Sequence, residues 1–169
     1  MQPTSNQDDF LRLIDQNKGA IIKVSSLYTR RKEEKDDLFQ EIIIQLWKAW
    51  PNFKGQSKIS TWLYRIALNT AISGLRKKKT DIIYIDGQDF PHITDTDDHR
   101  EKEDKLKSLY DAIQQLPEID RAIVLLYLED KGYEEMEDIL GINQGTLRVK
   151  MNRAKEKIKK TIQTMAYGT

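Results

Sequence analysis

The chain reads as an all-α protein: two small helical domains joined by an acidic linker. Three observations predict this. Apolar residues recur at i, i+3 and i+4 through almost every long stretch. Pro51, Pro117 and Gly141 fall at the ends of such stretches, where helices stop or start. Residues 81–104 alone lose the helical period and gather acidic side chains.

In chain order, Phe10, Leu11, Leu13, Ile14, Ile21, Ile22, Val24 and Leu27 supply apolar positions for one or two N-terminal helices, with an interruption expected near Lys18-Gly19. Asp36-Asp37 then precede a stripe of Leu38, Phe39, Ile42, Ile43, Leu46, Trp47 and Trp50. Acidic residues suit the positive end of a helix, so this helix is expected to start there and to stop at Pro51. Residues 52–57 form a loop turned by Gly55, and residues 58–79 a long helix. Its apolar positions are Ile59, Trp62, Leu63, Ile66, Ala67, Ala71 and Leu75, and Lys58, Arg65, Asn69 and Arg76 lie on its polar side. Asp81-Ile82-Ile83-Tyr84-Ile85-Asp86 is short and strand-like. Gly87, Pro91 and a cluster of Asp follow with no helical period, as in a linker. Helices resume near Arg100 and run to Leu116, and Pro117 opens another over residues 118–130. Two more follow, residues 133–140 and 144–160.

Charge divides the chain the same way. The 169 residues carry a net charge of only +1, yet residues 1–80 hold +7, residues 81–104 hold −7 and residues 105–169 hold +1. Within the last segment, residues 118–142 carry −6 and residues 143–160 carry +6. Blocks of opposite sign are expected where one face meets phosphate and another meets protein.

Composition excludes more. Without cysteine there is no disulfide framework, thiol nucleophile, iron–sulfur cluster or Cys-containing zinc site. The two histidines, His92 and His99, make histidine catalysis improbable. An enzyme would have to use them with Asp95, Asp97 and Asp98 as a metal cluster inside the linker. No apolar run approaches the roughly 20 residues that cross a bilayer, and residues 1–9 have no basic-then-apolar stretch typical of a secretory signal. A cytoplasmic binding protein with no cofactor and no membrane insertion is expected.

Two segments carry the chemistry. Toward the C-terminus, a short helix with Met136, Ile139 and Leu140 on one face ends at Gly141, and Asn143 is suited to cap the next helix. That helix is basic, and the pair has the helix-turn-helix arrangement whose second helix lies in a major groove. Gln144, Thr146, Arg148, Lys150, Arg153 and Lys155 are the candidate DNA contacts. A helical hairpin with a solvated basic face is the plainer alternative. In the N-terminal half, residues 54–79 combine Trp62 and Tyr64 with Lys58, Arg65, Asn69, Arg76 and a basic run. That mixture suits unpaired bases, which stack on rings while their backbone attracts cations, although each aromatic taken alone better suits a core.

Two blocks of residues resemble a known family. Asp37-Leu38-Phe39-Gln40-Glu41, Trp47, and Ser60-Thr61-Trp62-Leu63-Tyr64-Arg65-Ile66-Ala67 with Asn69 and Ala71 are similar to region two of the sigma-70 family of RNA polymerase sigma factors. Leu116-Pro117, Gly132-Tyr133-Glu134-Glu135, Leu140-Gly141-Ile142, Gly145-Thr146-Leu147-Arg148 and Arg153-Ala154 are similar to region four. With a short linker and nothing like regions one or three, the resemblance is to the extracytoplasmic-function (ECF) group. It implies a region-two bundle over residues 1–80, a linker over 81–104 and a region-four helix-turn-helix over 105–169. It implies core RNA polymerase, promoter DNA and an anti-sigma factor as partners. Asp37, Leu38, Phe39, Gln40 and Glu41 would bind polymerase. Lys58, Trp62, Arg65, Asn69 and Arg76 would open and hold the minus-ten element. Gln144, Thr146, Arg148, Lys150, Arg153 and Lys155 would read the minus-thirty-five element. Three positions depart from the family pattern: Ser73 stands where Asp is common, Lys150 where Arg is common, and Glu137 where Ala or Gly marks a close helix crossing. Glu137 is therefore expected either to widen that crossing or to turn to solvent. Two other readings compete, a stand-alone helix-turn-helix regulator and a protein-only adaptor.

Overall fold

The computed structural model describes residues 3–81 and 100–167. They form seven α-helices, and no strand occurs among them. The expected strand-like stretch at 82–86 and the groups at His92, Asp95, Asp97, Asp98 and His99 lie outside the described residues. The chain divides into two compact units, residues 1–80 with 138–141 and residues 81–137 with 142–169.

In the first unit, α1 (Pro3–Leu27) is continuous through Lys18-Gly19, against expectation. A glycine inside a helix costs about 0.5–1 kcal/mol. That cost is small beside the complete burial of Ile21 and Val24 on the following turns, each contributing roughly 1.5–3 kcal/mol. Next, α2 (Lys32–Ala49) starts four residues ahead of Asp36. Glu33 and Glu34 occupy the first turn and meet the positive helix end, leaving Asp36 and Asp37 on an exposed face one turn on. As expected, Pro51 ends this helix, within a 3-10 turn at Trp50–Asn52. Phe10 of α1 meets Trp47 of α2 edge-on with ring centroids 4.9 Å apart, so the two helices pack antiparallel. Gly55, at φ +73°, turns the loop, and α3 (Ile59–Asp81) follows. Its buried residues, from Trp62 to Ile72, complete the core with Leu27, Ile42 and Leu46.

In the second unit, α4 (Arg100–Gln114) and α5 (Glu118–Leu128) flank Pro117, and α4, α5 and α7 pack together. Asp130, at φ +60°, takes the left-handed position after α5, and the Lys131 amide donates to the Leu126 carbonyl to close the helix end. The stop comes two residues before the expected Asp130. α6 (Tyr133–Leu140) and α7 (Gln144–Tyr167) are joined by Gly141 at φ +71°. Leu147, Met151 and Ala154 of α7 are buried, as are Met136 and the apolar run Ala122–Leu126.

Candidate nucleic-acid interface

The turn between α6 and α7 is held by two side chains. Asn143 Oδ1 accepts the Thr146 amide at 2.8 Å, as the sequence suggested. Glu137 does not turn to solvent. It stays half-buried and reaches across the turn, where its Oε2 accepts the Gln144 amide at 3.2 Å. A carboxylate and an amide oxygen thus satisfy two of the four amides a helix start leaves unpaired, and the carboxylate also meets the positive helix end. α7 is firmly anchored where its side chains leave the protein.

Along α7, the six expected contacts fall into different surroundings. Gln144 is half-buried at the cap, while Thr146 and Arg153 are exposed. Arg148 lies over the Tyr133 ring at 4.9 Å, which orders its guanidinium beside α6. Lys150 reaches back to Asp120 of α5 at 3.8 Å, and Lys155 lies 4.6 Å over Tyr127. The charge pattern alone did not distinguish Lys150 and Lys155, turned toward α5, from Arg153, turned away. It also passed over Val149, which is 48% exposed, and Asn152, which is exposed beside it. Counting turns from the buried Leu147, Met151 and Ala154 would have found both.

Lys58, just ahead of α3, and Arg65, Asn69 and Arg76 along it are exposed at helical spacing on one side. Trp62 falls in the same row but is only 8% exposed. Its ring sits 5.0 Å from Phe53 and 5.9 Å from Trp50, and Tyr64 is buried as well. The row therefore offers cations and an amide at its surface, with Trp62 packed beneath the loop that leads into it.

The outward face of α2 has another character. Asp37, Gln40 and Glu41 are exposed and Leu38 and Phe39 half-buried, and the same face continues through Ile44 and Trp47, each 45% exposed. Exposed apolar groups beside carboxylates suit a protein partner and repel phosphate. Ile44 broke the expected stripe, so the sequence reading missed it. The second unit also carries an apolar groove of about 400 Å³ between α4, α5 and α7, lined by Leu109, Tyr127, Leu128, Met151, Ile158 and Ile162.

Among the described residues no cluster of acidic or histidine side chains is arranged to hold a metal ion, and no helix is long and apolar enough to cross a membrane.

Known proteins align with both units. The family model of Sigma-70 region 2 matches residues 13–80, and that of Sigma-70, region 4 matches residues 106–158. The ECF RNA polymerase sigma-E factor of Haemophilus influenzae is 34% identical over 157 residues, covering 85% of this chain and 83% of the relative. The sigma-E factor of Escherichia coli K12 is 32% identical, with 85% and 82% covered. Two solved structures share the fold at low identity. One is CnrH in complex with the cytosolic domain of CnrY (TM-score 0.68, 18% identity, 95% of this chain and 92% of that one). The other is the sigma factor RpoE with the anti-sigma factor NepR from Bartonella quintana (TM-score 0.70, 20% identity, 92% and 97%). The chain belongs to the extracytoplasmic-function group of the sigma-70 family, the sigma factors that serve RNA polymerase in transcription initiation.

Proposed function

We propose that this chain joins core RNA polymerase in the cytoplasm and directs it to promoters through two separate DNA readers. Residues 1–80 would form the polymerase and minus-ten reader, residues 81–104 the linker, and residues 105–169 the minus-thirty-five reader. The α2 face from Asp37 to Glu41, extended by Ile44 and Trp47, docks on polymerase. The α3 row of Lys58, Arg65, Asn69 and Arg76 holds the opened minus-ten strand, with Trp62 positioning the loop before it. α7 lies in the major groove of the minus-thirty-five element, where Arg148 and Arg153 approach the duplex together with Gln144 and Thr146, and Lys150 and Lys155 add positive charge from the α5 side. Each reader is weak by itself. Held by polymerase at a fixed separation, the second contact becomes intramolecular and the pair gains avidity. The chain makes no bond itself; RNA synthesis belongs to the polymerase. An anti-sigma factor is the natural inhibitor, a reading supported by the two fold neighbours, both solved with a bound partner and one of these titled an anti-sigma factor.

The observation that carries this reading is that one chain bears both sigma regions, in order, while aligning over 85% of its length with sigma-E factors. Run-off transcription with core polymerase on a promoter library tests it. Initiation is expected only when the protein is added, and Asp37→Arg or Arg148→Ala is expected to abolish it. Initiation untouched by Asp37→Arg would mean that the docking face is misplaced. Tight binding of promoter duplex by the isolated protein would favour a stand-alone regulator.

A further inference from the structure

The face of α7 that points away from the core is not its most basic one. Each residue advances about 100° around a helix. Leu147, Met151 and Ala154 mark the inward direction, and the opposite side carries Gly145, Val149, Asn152, Glu156 and, a turn further on, Lys160, all exposed. Its first three members are uncharged. Cations stand on both edges of this strip, Arg148 and Lys159 on one and Arg153 and Lys157 on the other, again all exposed. A major groove has the same layout across its width, base edges in the middle and phosphates on either side.

The three uncharged residues match base edges in different ways. Asn152 has no hydrogen-bond partner among the described residues, and its amide holds a donor and an acceptor side by side. Adenine presents the complement, the N7 acceptor and N6 donor. Val149 exposes an apolar side chain that the protein leaves uncovered, and the only apolar group in the groove is the C5 methyl of thymine. Gly145 has ordinary helical backbone, and a Cβ there would meet only Asn143 Oδ1 at 3.5 Å, an unstrained contact. The fold itself does not require glycine at this place, and the missing side chain leaves room for a groove floor to come close to the helix backbone. Glu156 ends the strip, since its carboxylate is repelled by the phosphates that deeper insertion would bring near.

We propose that Gly145, Val149 and Asn152 form the base-reading strip of α7, with Asn152 paired to an adenine and Val149 against a thymine methyl. Residues three apart rise about 4.5 Å along a helix, against about 3.4 Å per base pair. The two bases therefore lie on adjacent or next-adjacent pairs, and the site contains an A·T-rich step. This inference rests on the reading of α7 as a major-groove helix.

The test uses holoenzyme, the full chain with core polymerase. A minus-thirty-five sequence is first selected from a randomised library. Each thymine in it is then replaced by deoxyuridine, which lacks only the methyl, and each adenine by 7-deazaadenine, which lacks the N7 acceptor. Wild-type holoenzyme is expected to lose about fourfold in affinity at one thymine and roughly five- to a hundredfold at one adenine. Val149→Ala should become indifferent to the deoxyuridine and Asn152→Ala to the 7-deazaadenine, each retaining the response to the other. Gly145→Ala should bind every duplex more weakly while melting no earlier than wild type. Modified bases that cost wild type nothing, or costs that persist unchanged in the matching variant, overturn the strip. A library that yields no minus-thirty-five preference at all overturns the placement of α7 in the groove and takes the strip with it.

Discussion

α2 and α7 are both long helices that leave apolar side chains in water, and they do so in opposite electrostatic settings. On α2, Ile44 and Trp47 continue a face that carries Asp37 and Glu41. On α7, Val149 sits between two basic edges. An exposed apolar group is by itself unremarkable, and the sign of the charge beside it tells which class of partner its face would suit. Carboxylates exclude a nucleic-acid backbone and leave a protein as the partner, whereas cations on both edges suit a groove between phosphates. The helix starts differ in the same sense. α7 is capped by Asn143 and Glu137, but α2 begins at Arg31 with no side-chain cap. Base edges demand placement to a fraction of an ångström, and an anchored start supplies it. A broad protein interface tolerates more play.

The sharpest way to break this comparison is an exchange of losses. Trp47 is aromatic, half-exposed and supported by Phe10 at 4.9 Å, the properties of a residue that dominates an interface. Trp47→Ala is expected to weaken core polymerase binding about 30-fold, or about 2 kcal/mol. Val149→Ala should leave that affinity unchanged. Titration of labelled core polymerase measures both, and circular dichroism checks that each variant folds. Equal losses in the two variants would mean that the two apolar exposures do not report different partners.

A second test addresses the anchored start of α7. Glu137→Ala leaves the half-buried Gln144 amide without its acceptor and removes a carboxylate from the positive helix end. The cost is expected to be about 1 kcal/mol, read as a fall of roughly 4–8 °C in the melting of a domain this size. Glu137→Gln keeps an acceptor oxygen and should recover part of that stability. No change in melting for either variant would show that Asn143 alone holds the turn.

How much of this was legible depended on whether the cause was local. The α6–α7 turn was readable because Gly141 and Asn143 act within a few residues of themselves, one by taking a left-handed backbone and one by capping the next turn. Pro51 and Pro117 were readable for the same reason. The continuity of α1 was not, because the burial of Ile21 and Val24 comes from packing partners far away in the chain, and only that burial outweighs Gly19. The start of α2 was hidden because Arg31 carries no capping oxygen and acidic residues are scattered from Glu33 to Asp37, so the run did not show which pair lay in the first turn. For Trp62 the core reading, the stronger of the two when the residue is taken alone, is the one the fold bears out, and the partners that cover it, Trp50 and Phe53, are brought in by the 3-10 turn and its loop. On α7 the signal was present and differently weighted. Charge drew the reading to Lys150 and Lys155, while the period of Leu147, Met151 and Ala154 already pointed to Val149 and Asn152 on the far side.

The smallest expected effect lies at the uncapped start of α2. Arg31 already has the extended backbone of a capping residue, φ −102° and ψ 150°, and is exposed, so a serine fits without rearrangement. Its hydroxyl would accept one of the amides left open in the first turn, where Glu33 and Glu34 already favour the helix. Arg31→Ser should raise the stability of the first unit by roughly 0.5–1 kcal/mol, a gain of a few degrees in thermal melting. Polymerase affinity should not follow, because Arg31 lies ahead of the face that begins at Asp37. If affinity rose along with stability, a loosely held α2 would itself be limiting docking, and the contrast between an anchored DNA reader and a tolerant protein interface would fail at its weaker end.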